Sequence, residues 1–240
     1  YRAFYLNEKP SVYSSALFGL ADKGEIRMVP GLNPFLESKV PLALFHSAEY
    51  ENYFKKALGT QKFNILKNAI PKTWVLDPRY IPEELRKSGI TKWVDLVDNV
   101  TSRRSFVLKP AQSSWAKDLV FLDKATRQGA MSAIEGAISD YEAVFVIQEK
   151  VTSIPIDFDY IKAGVEGLEH MEGAVRFSPY FWTQGKSGLF GLRVTAREKS
   201  EYIHSSSDAV IIPVSPFQYD VYFRYYSNKI NNSLAIRGAI

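Results

Sequence analysis

The 240-residue chain contains no cysteine. That excludes disulfides, thiolate zinc sites and cysteine nucleophiles, and it fits a reducing compartment. Histidine is scarce: His46, His170 and His204 are the full set, and none stands at metal-ligand spacing from another. No apolar run approaches the roughly 20 residues needed to span a bilayer, and no signal-peptide pattern opens the sequence. A cytoplasmic location without a membrane partner is therefore the expectation. Basic residues are not gathered into a run. The formal net charge is +4, spread among interspersed acids and bases; no basic run suggests a nucleic-acid arm, a nucleic-acid partner is not expected, and a phosphate-rich small ligand suits the charge balance as well as RNA would. There is no internal repeat and no low-complexity segment. The first residue is Tyr1 rather than Met, and Tyr1 to Leu6 already reads as a strand. The expectation is an excised piece or processed product with parts of a site outside it.

Apolar residues make up 46% of the chain, with 15 Phe and 14 Tyr, which is ample for a core and argues against disorder. Ser11 is a plausible N-cap for a helix running to about Lys23, with Gly24 as its stop. A short strand is expected over Glu25 to Val29, then a turn at Pro30-Gly31-Leu32-Asn33-Pro34. Residues 36–70 read as helical, with Pro41 marking a start near Lys39 and Pro71 an end. Thr73 to Leu76 reads as a strand, and Pro82-Glu83-Glu84 opens a short helix with acidic residues in its first turn. Beyond residue 100 the pattern turns to strands. They are expected at Ser105 to Lys109, Asp118 to Leu122, Ala143 to Val151, 154–160, 173–182, 189–198, 201–204 and 208–214, with a helix over 124–140. The aromatic tail, Phe217 to Tyr226, alternates poorly and reads as helix or irregular.

Three segments could carry chemistry. In Phe106-Val107-Leu108-Lys109-Pro110-Ala111-Gln112-Ser113-Ser114 an apolar strand ends on a lysine and enters a small polar loop. Backbone N–H groups and hydroxyls there could donate to phosphates while Lys109 neutralises charge; the plain alternative is a hairpin whose lysine reaches solvent. In Val144-Phe145-Val146-Ile147-Gln148-Glu149-Lys150-Val151 an apolar strand runs out into polar residues. Such a strand end can pair with an adenine edge, or can simply mark the surface. Leu36-Glu37-Ser38-Lys39 places a lysine near a helix start, where anions are favoured, and Ala69-Ile70-Pro71-Lys72-Thr73 follows some thirty residues later.

In that order these segments resemble the nucleotide-binding core of the ATP-grasp ligases. The resemblance covers roughly residues 33–151, about half the chain. It implies an α+β fold of two α+β subdomains with a nucleotide cleft between antiparallel sheets. The organisation expected is a helix-rich part over 1–100, a nucleotide-binding subdomain over 101–152 and a sheet-rich subdomain over 153–240. The resemblance further implies ATP as cofactor, with Lys39 and Lys109 on its phosphates, Ser113 and Ser114 in the phosphate loop, and Gln148, Glu149, Lys150 and Val151 as the adenine-reading hinge. In circularly permuted members, which resemble glutathionylspermidine synthase, the metal-binding segment precedes the nucleotide core. Glu25 and Asn33 stand in that place as candidate ligands for Mg2+, which takes hard oxygen donors. Arg176 and Arg193, on later strands, match arginines that meet the transferred phosphate or an acyl-phosphate, since guanidinium grips phosphate bidentately. The activity implied is ATP-dependent joining of a small-molecule or peptide carboxylate to an amine.

Other readings stand beside it. The loop Gln112 to Asp118 has no glycine and carries Trp115, which favours a non-catalytic ATP-grasp-like binding domain of a larger protein. A basic–aromatic RNA surface using Trp93, Trp115 and Trp182 is a third reading, although such scattered aromatics are more often core. His204 with Asp208 could form a base or ligand pair, but a loop histidine without a role is the commoner case. Asp157 and Asp159 share one face of their strand; an exposed edge is the plainer reading and a paired-carboxylate metal site the sharper one.

Overall fold

Two antiparallel four-stranded sheets carry the computed structural model, which describes residues 12–26, 35, 38–113, 118–162, 164–182, 188–198 and 209–212. The class is α+β. The chain divides into two compact units, Tyr1–Val151 and Thr152–Ile240. Among the described residues no helix is long and apolar enough to cross a membrane.

The first unit opens with α1 (Val12–Asp22), and Gly24 stops it at a φ of 72° that side-chain-bearing residues rarely adopt. Glu25 and Ile26 form a bend, so the strand expected from Glu25 does not begin there; 27–29 lie outside the described residues, as do Ser11, the turn at 30–34 and the strand expected at Tyr1 to Leu6. The helical reading of 36–70 resolves into separate pieces: α2 (Val40–His46), a 3-10 turn (Ala48–Tyr50), α3 (Glu51–Leu58) and α4 (Thr60–Ala69). Ser47 breaks the first junction by going extended, at ψ 130°. Gly59 breaks the second at φ 80°. Phe45, Phe54 and Phe63 close these helices into an aromatic cluster, with Phe45 centroids 4.9 and 5.1 Å from the other two. Ile70 turns extended at the end of α4, ahead of Pro71. His46 lies 3.1 Å from the Ile70 carbonyl through Nε2, and burial pushes its imidazole pKa down.

The strand order is β1 (Thr73–Val75), β4 (Phe145–Glu149), β2 (Phe106–Pro110), β3 (Val120–Phe121). Every pairing is antiparallel. One face carries Trp74, Phe106, Leu108, Phe145 and Ile147 into the main core. Leu85 of α5 (Glu83–Lys87), Leu96 and Val97 of α6 (Asp95–Asp98), and Ala130, Ile134 and Ala137 of α8 (Arg127–Ser139) meet them there. Trp93 is part of this core, with its indole N–H donating to the Asp77 carbonyl at 2.7 Å, so it supplies no exposed stacking platform. Neither α6 nor α7 (Val100–Ser105) was expected. Their signals are local polar contacts rather than apolar periods: Asp95, the first residue of α6, accepts from the Thr91 and Lys92 N–H groups of the preceding turn, and Asn99 caps α7 by accepting from the Ser102 N–H.

The second unit is a meander of β5 (Ile156–Tyr160), β6 (Glu169–Trp182), β7 (Gly188–Glu198) and β8 (Val210–Ile212). Met171, Val194 and Ala196 are buried on one of its faces. Gly173 allows close pairing with β7, since a Cβ there would lie 3.1 Å from the Arg197 carbonyl oxygen. The strand expected at 201–204 and the tail Phe217 to Tyr226 lie outside the described residues.

Ile147 sits fully buried in an inner strand. Ile147→Ala is expected to cost about 2–5 kcal/mol of stability, and removing the α8 N-cap by Thr126→Ala about 1 kcal/mol. Urea unfolding of each variant measures both.

Candidate functional site

The face of the first sheet opposite its main core is partly polar. In the register Thr73 lies opposite Gln148, Gln148 opposite Val107, and Val146 opposite Lys109. Because strand side chains alternate, Thr73, Gln148 and Lys109 share this face. They are bonded in sequence. The Lys109 ammonium donates to Gln148 Oε1 at 2.6 Å, Gln148 Nε2 donates to Thr73 Oγ1 at 2.8 Å, and the Thr73 hydroxyl donates to the Pro71 carbonyl at 2.9 Å. Thr73 and Gln148 are buried and Lys109 is half-buried. Burial holds the Lys109 pKa below the ordinary lysine value. The hydrogen-bond partner of its ammonium is a neutral amide, so nothing in the sheet cancels the charge.

Lys39 reaches the same stretch of chain from more than seventy residues upstream. Its ammonium lies 3.1 Å from the Pro110 carbonyl, 3.4 Å from that of Ala111, 3.0 Å from that of Ser113 and 3.2 Å from Ser113 Oγ. Its backbone N–H also donates to the Ala111 carbonyl at 2.9 Å. The loop after Lys109 thus turns carbonyl oxygens toward Lys39. Ser113 takes part directly, while Ser114 and Trp115 lie outside the described residues.

Each polar residue of the expected hinge has a partner within the protein. Gln148 belongs to the chain just described. Glu149 donates its N–H to the Lys72 carbonyl at 2.8 Å and accepts the Lys72 N–H on its carboxylate at 3.2 Å. The ladder with β1 therefore ends at Glu149, because Lys72 returns its N–H to the side chain rather than to the Glu149 carbonyl. Lys150 pairs with Asp123 at 2.7 Å, and both side chains are largely buried. Its ammonium also sits 5.3 Å from the Phe121 ring centroid. Burial alone would raise the Asp123 pKa, but the hydrogen bond and charge of Lys150 overcome it and hold the carboxyl below its usual range. The backbone N–H of Lys150 donates to Ser105. Val151 is exposed.

The remaining candidates lie elsewhere. Glu25 is an exposed residue in the bend after α1, and Asn33 lies outside the described residues. Among those residues no group of three or more His, Asp or Glu is placed to hold a metal ion. Arg176 and Arg193 belong to the second unit. Arg176 stands opposite Thr195 and Arg193 opposite Ser178, so the two arginines are diagonal neighbours on one sheet face. Arg193 Nε and Thr195 Oγ1 are buried without a hydrogen-bond partner.

His204 and Asp208 lie outside the described residues, but the second unit contains a histidine–carboxylate cluster that the sequence reading did not join. Asp159 lies opposite His170, with Nδ1 3.0 Å from Oδ1, and Asp157 approaches Nε2 at 3.7 Å. The missed signal was the β5–β6 register, which spacing along the chain does not reveal. The hydrogen bond that the His170 ring makes to the Asp159 carboxylate raises the His170 pKa.

No model of a known protein family matches the chain, and no curated protein sequence matches it.

A raised histidine pKa contributes stability below the unfolded value and loses it as pH rises through the folded one. An NMR titration is expected to place the His170 midpoint above the ordinary histidine value of about 6.5, and Asp159→Asn to lower it. An unmoved midpoint in that variant would mean that the contact is not populated in solution.

Proposed function

We propose that the first unit binds ATP and that the chain serves an ATP-dependent carboxylate–amine ligase of the ATP-grasp type. The observation that carries this reading is the Lys109 ammonium, half-buried and held by a neutral amide, at the head of a loop folded around a second lysine. Desolvating a positive charge without cancelling it is unfavourable, and an anionic ligand offsets that cost. Lys39 lies on the loop that follows Lys109, and two lysines tied to one strand and its loop suit a polyphosphate better than a lone carboxylate.

The end of β4 fits the base. In an antiparallel strand, residues two apart bond toward the same side. Past the last β1 partner, the Glu149 carbonyl and the Val151 N–H are an acceptor and a donor on that one side. An adenine edge offers a matching exocyclic amine and ring nitrogen. The roles of Gln148 and Lys150 are reassigned in this proposal: their side chains hold Lys109 and Asp123 rather than reading the base.

When bound, ATP supplies a transferable phosphoryl group. The chain's own task is to hold and orient phosphate oxygens by charge, with little covalent chemistry of its own. Lys109 donates from a fixed position. Lys39 can exchange loop carbonyls for phosphate oxygens, because both are acceptors. The resemblance implies Mg2+ with Glu25 and Asn33 as ligands; of these, Glu25 is an exposed residue of the bend after α1.

A second reading is a nucleotide-binding domain without turnover. Its support is the glycine-free loop, whose Pro110, Ala111 and Ser113 carbonyls are already engaged by Lys39.

Calorimetric titration with ATP is expected to give saturable binding. Lys109→Ala should weaken it roughly 10- to 100-fold, the equivalent of one lost charge-assisted hydrogen bond of about 1.5–3 kcal/mol. Val151→Pro, which removes the N–H at an exposed position, should weaken ATP while sparing inorganic triphosphate. Absence of ATP binding by the folded chain overturns the proposal.

A further inference from the structure

We propose that Thr73 and Gln148 form a hydrogen-bond relay of fixed polarity that aims the Lys109 ammonium and keeps its charge available, making Thr73 a positioning residue of the candidate site. The use of the relay for a nucleotide rests on the reading above; its geometry does not.

The polarity follows from the two ends. A backbone carbonyl only accepts, so the Thr73 hydroxyl must give its proton to Pro71. Thr73 Oγ1 can then only accept from Gln148, which directs the amide NH2 toward it. The amide oxygen is left facing Lys109, whose ammonium only donates. The orientation of the Gln148 amide is thereby determined from both ends. Reversing it would set NH2 against NH3+ at one end and oppose two acceptors at the other.

The choice of residue also follows. Gln148 continues an inner strand whose preceding residues, Val146 and Ile147, are fully buried, a place where an aliphatic side chain would pack without difficulty. An aliphatic residue would leave the lysine no acceptor in the sheet. A glutamate would neutralise it, as Asp123 does for Lys150. Glutamine supplies an acceptor and no charge. Thr73, fully buried opposite it, supplies the second acceptor that the amide needs, and Pro71 takes the last proton. Pro71, which ends the preceding helical segment, therefore also terminates the relay.

The test uses the ligand-free chain with 13C,15N-labelled lysine, the Lys109 signal being assigned by its loss in Lys109→Arg. Thr73→Val is nearly isosteric and deletes only the hydroxyl. It is expected to lower the Lys109 titration midpoint, because the amide can no longer hold its oxygen toward the charged form; Thr73→Ser is expected to restore it. Gln148→Glu is expected to raise the midpoint by roughly one pH unit or more and to weaken ATP, although the lysine is intact. A folded Thr73→Val chain with an unmoved Lys109 midpoint overturns the relay. If Thr73→Val does not fold, Gln148→Glu decides, and an unmoved midpoint there overturns it equally. ATP titration of the unmodified chain reports separately. A working relay without ATP binding removes the nucleotide reading alone, and ATP binding with Lys109 indifferent to Thr73 removes the relay alone.

Discussion

The first unit depends on β4 lying between β1 and β2. An inner strand has both of its backbone edges engaged, and Val146, Ile147 and Gln148 are buried. Burial at that position sets the terms for each side chain. Ile147 turns to the helix-covered core, while Val146 shares the opposite face with Gln148. The polar one, Gln148, has to find a donor and an acceptor within the sheet, because an unmet amide there would cost about 1–3 kcal/mol. It finds them in strands on opposite sides, Lys109 from β2 and Thr73 from β1. The pairing that builds the sheet therefore also builds the polar line across it.

Lysine chemistry differs from place to place within this unit, and the surroundings account for the difference. Lys150 is buried beside Asp123, so its charge is cancelled and its role is to hold the end of β4 to the turn after β3. Lys55 and Lys67 share Glu51 at the surface, where their hydrogen bonds lower its pKa to about 2; such exposed pairs contribute little. Lys39 meets the carbonyl oxygens of Pro110 and Ser113, which are neutral acceptors for its ammonium. Lys109 meets the neutral Gln148 amide, which separates it physically from Lys150, Lys55 and Lys67, each of which faces a carboxylate.

Much of the element order was legible, because it rests on local signals. Pro71 after a helical period, Pro82-Glu83-Glu84 at a helix start, and the apolar runs ending at Lys109 and Gln148 each correspond to an element of the expected type. What failed was local in another sense. The continuous helical pattern over 36–70 hid breaks at Ser47 and Gly59, and α6 and α7 are too short for an apolar period, so that only the turn held by Asp95 and the Asn99 cap marked them. For the site, the segments holding Lys39, Lys109 and Gln148 could be picked out. Thr73 could not, because its importance lies in a cross-strand pairing. His170 escaped notice for the same reason, its aspartates being supplied by strand register.

Composition and pattern by themselves determined the class of the protein: a cysteine-free α+β chain with a lysine at the head of a polar loop and an apolar strand running out into Gln-Glu-Lys. Those features depend on residue type and near neighbours. Tertiary structure alone decided which charges are cancelled. Lys109 and Lys150 both lie at strand ends and both read as phosphate or base contacts. Register brings Gln148 to one, and the turn after β3 brings Asp123 to the other. An ammonium's availability is set by what stands within about 3 Å of it, and long-range pairing controls that distance.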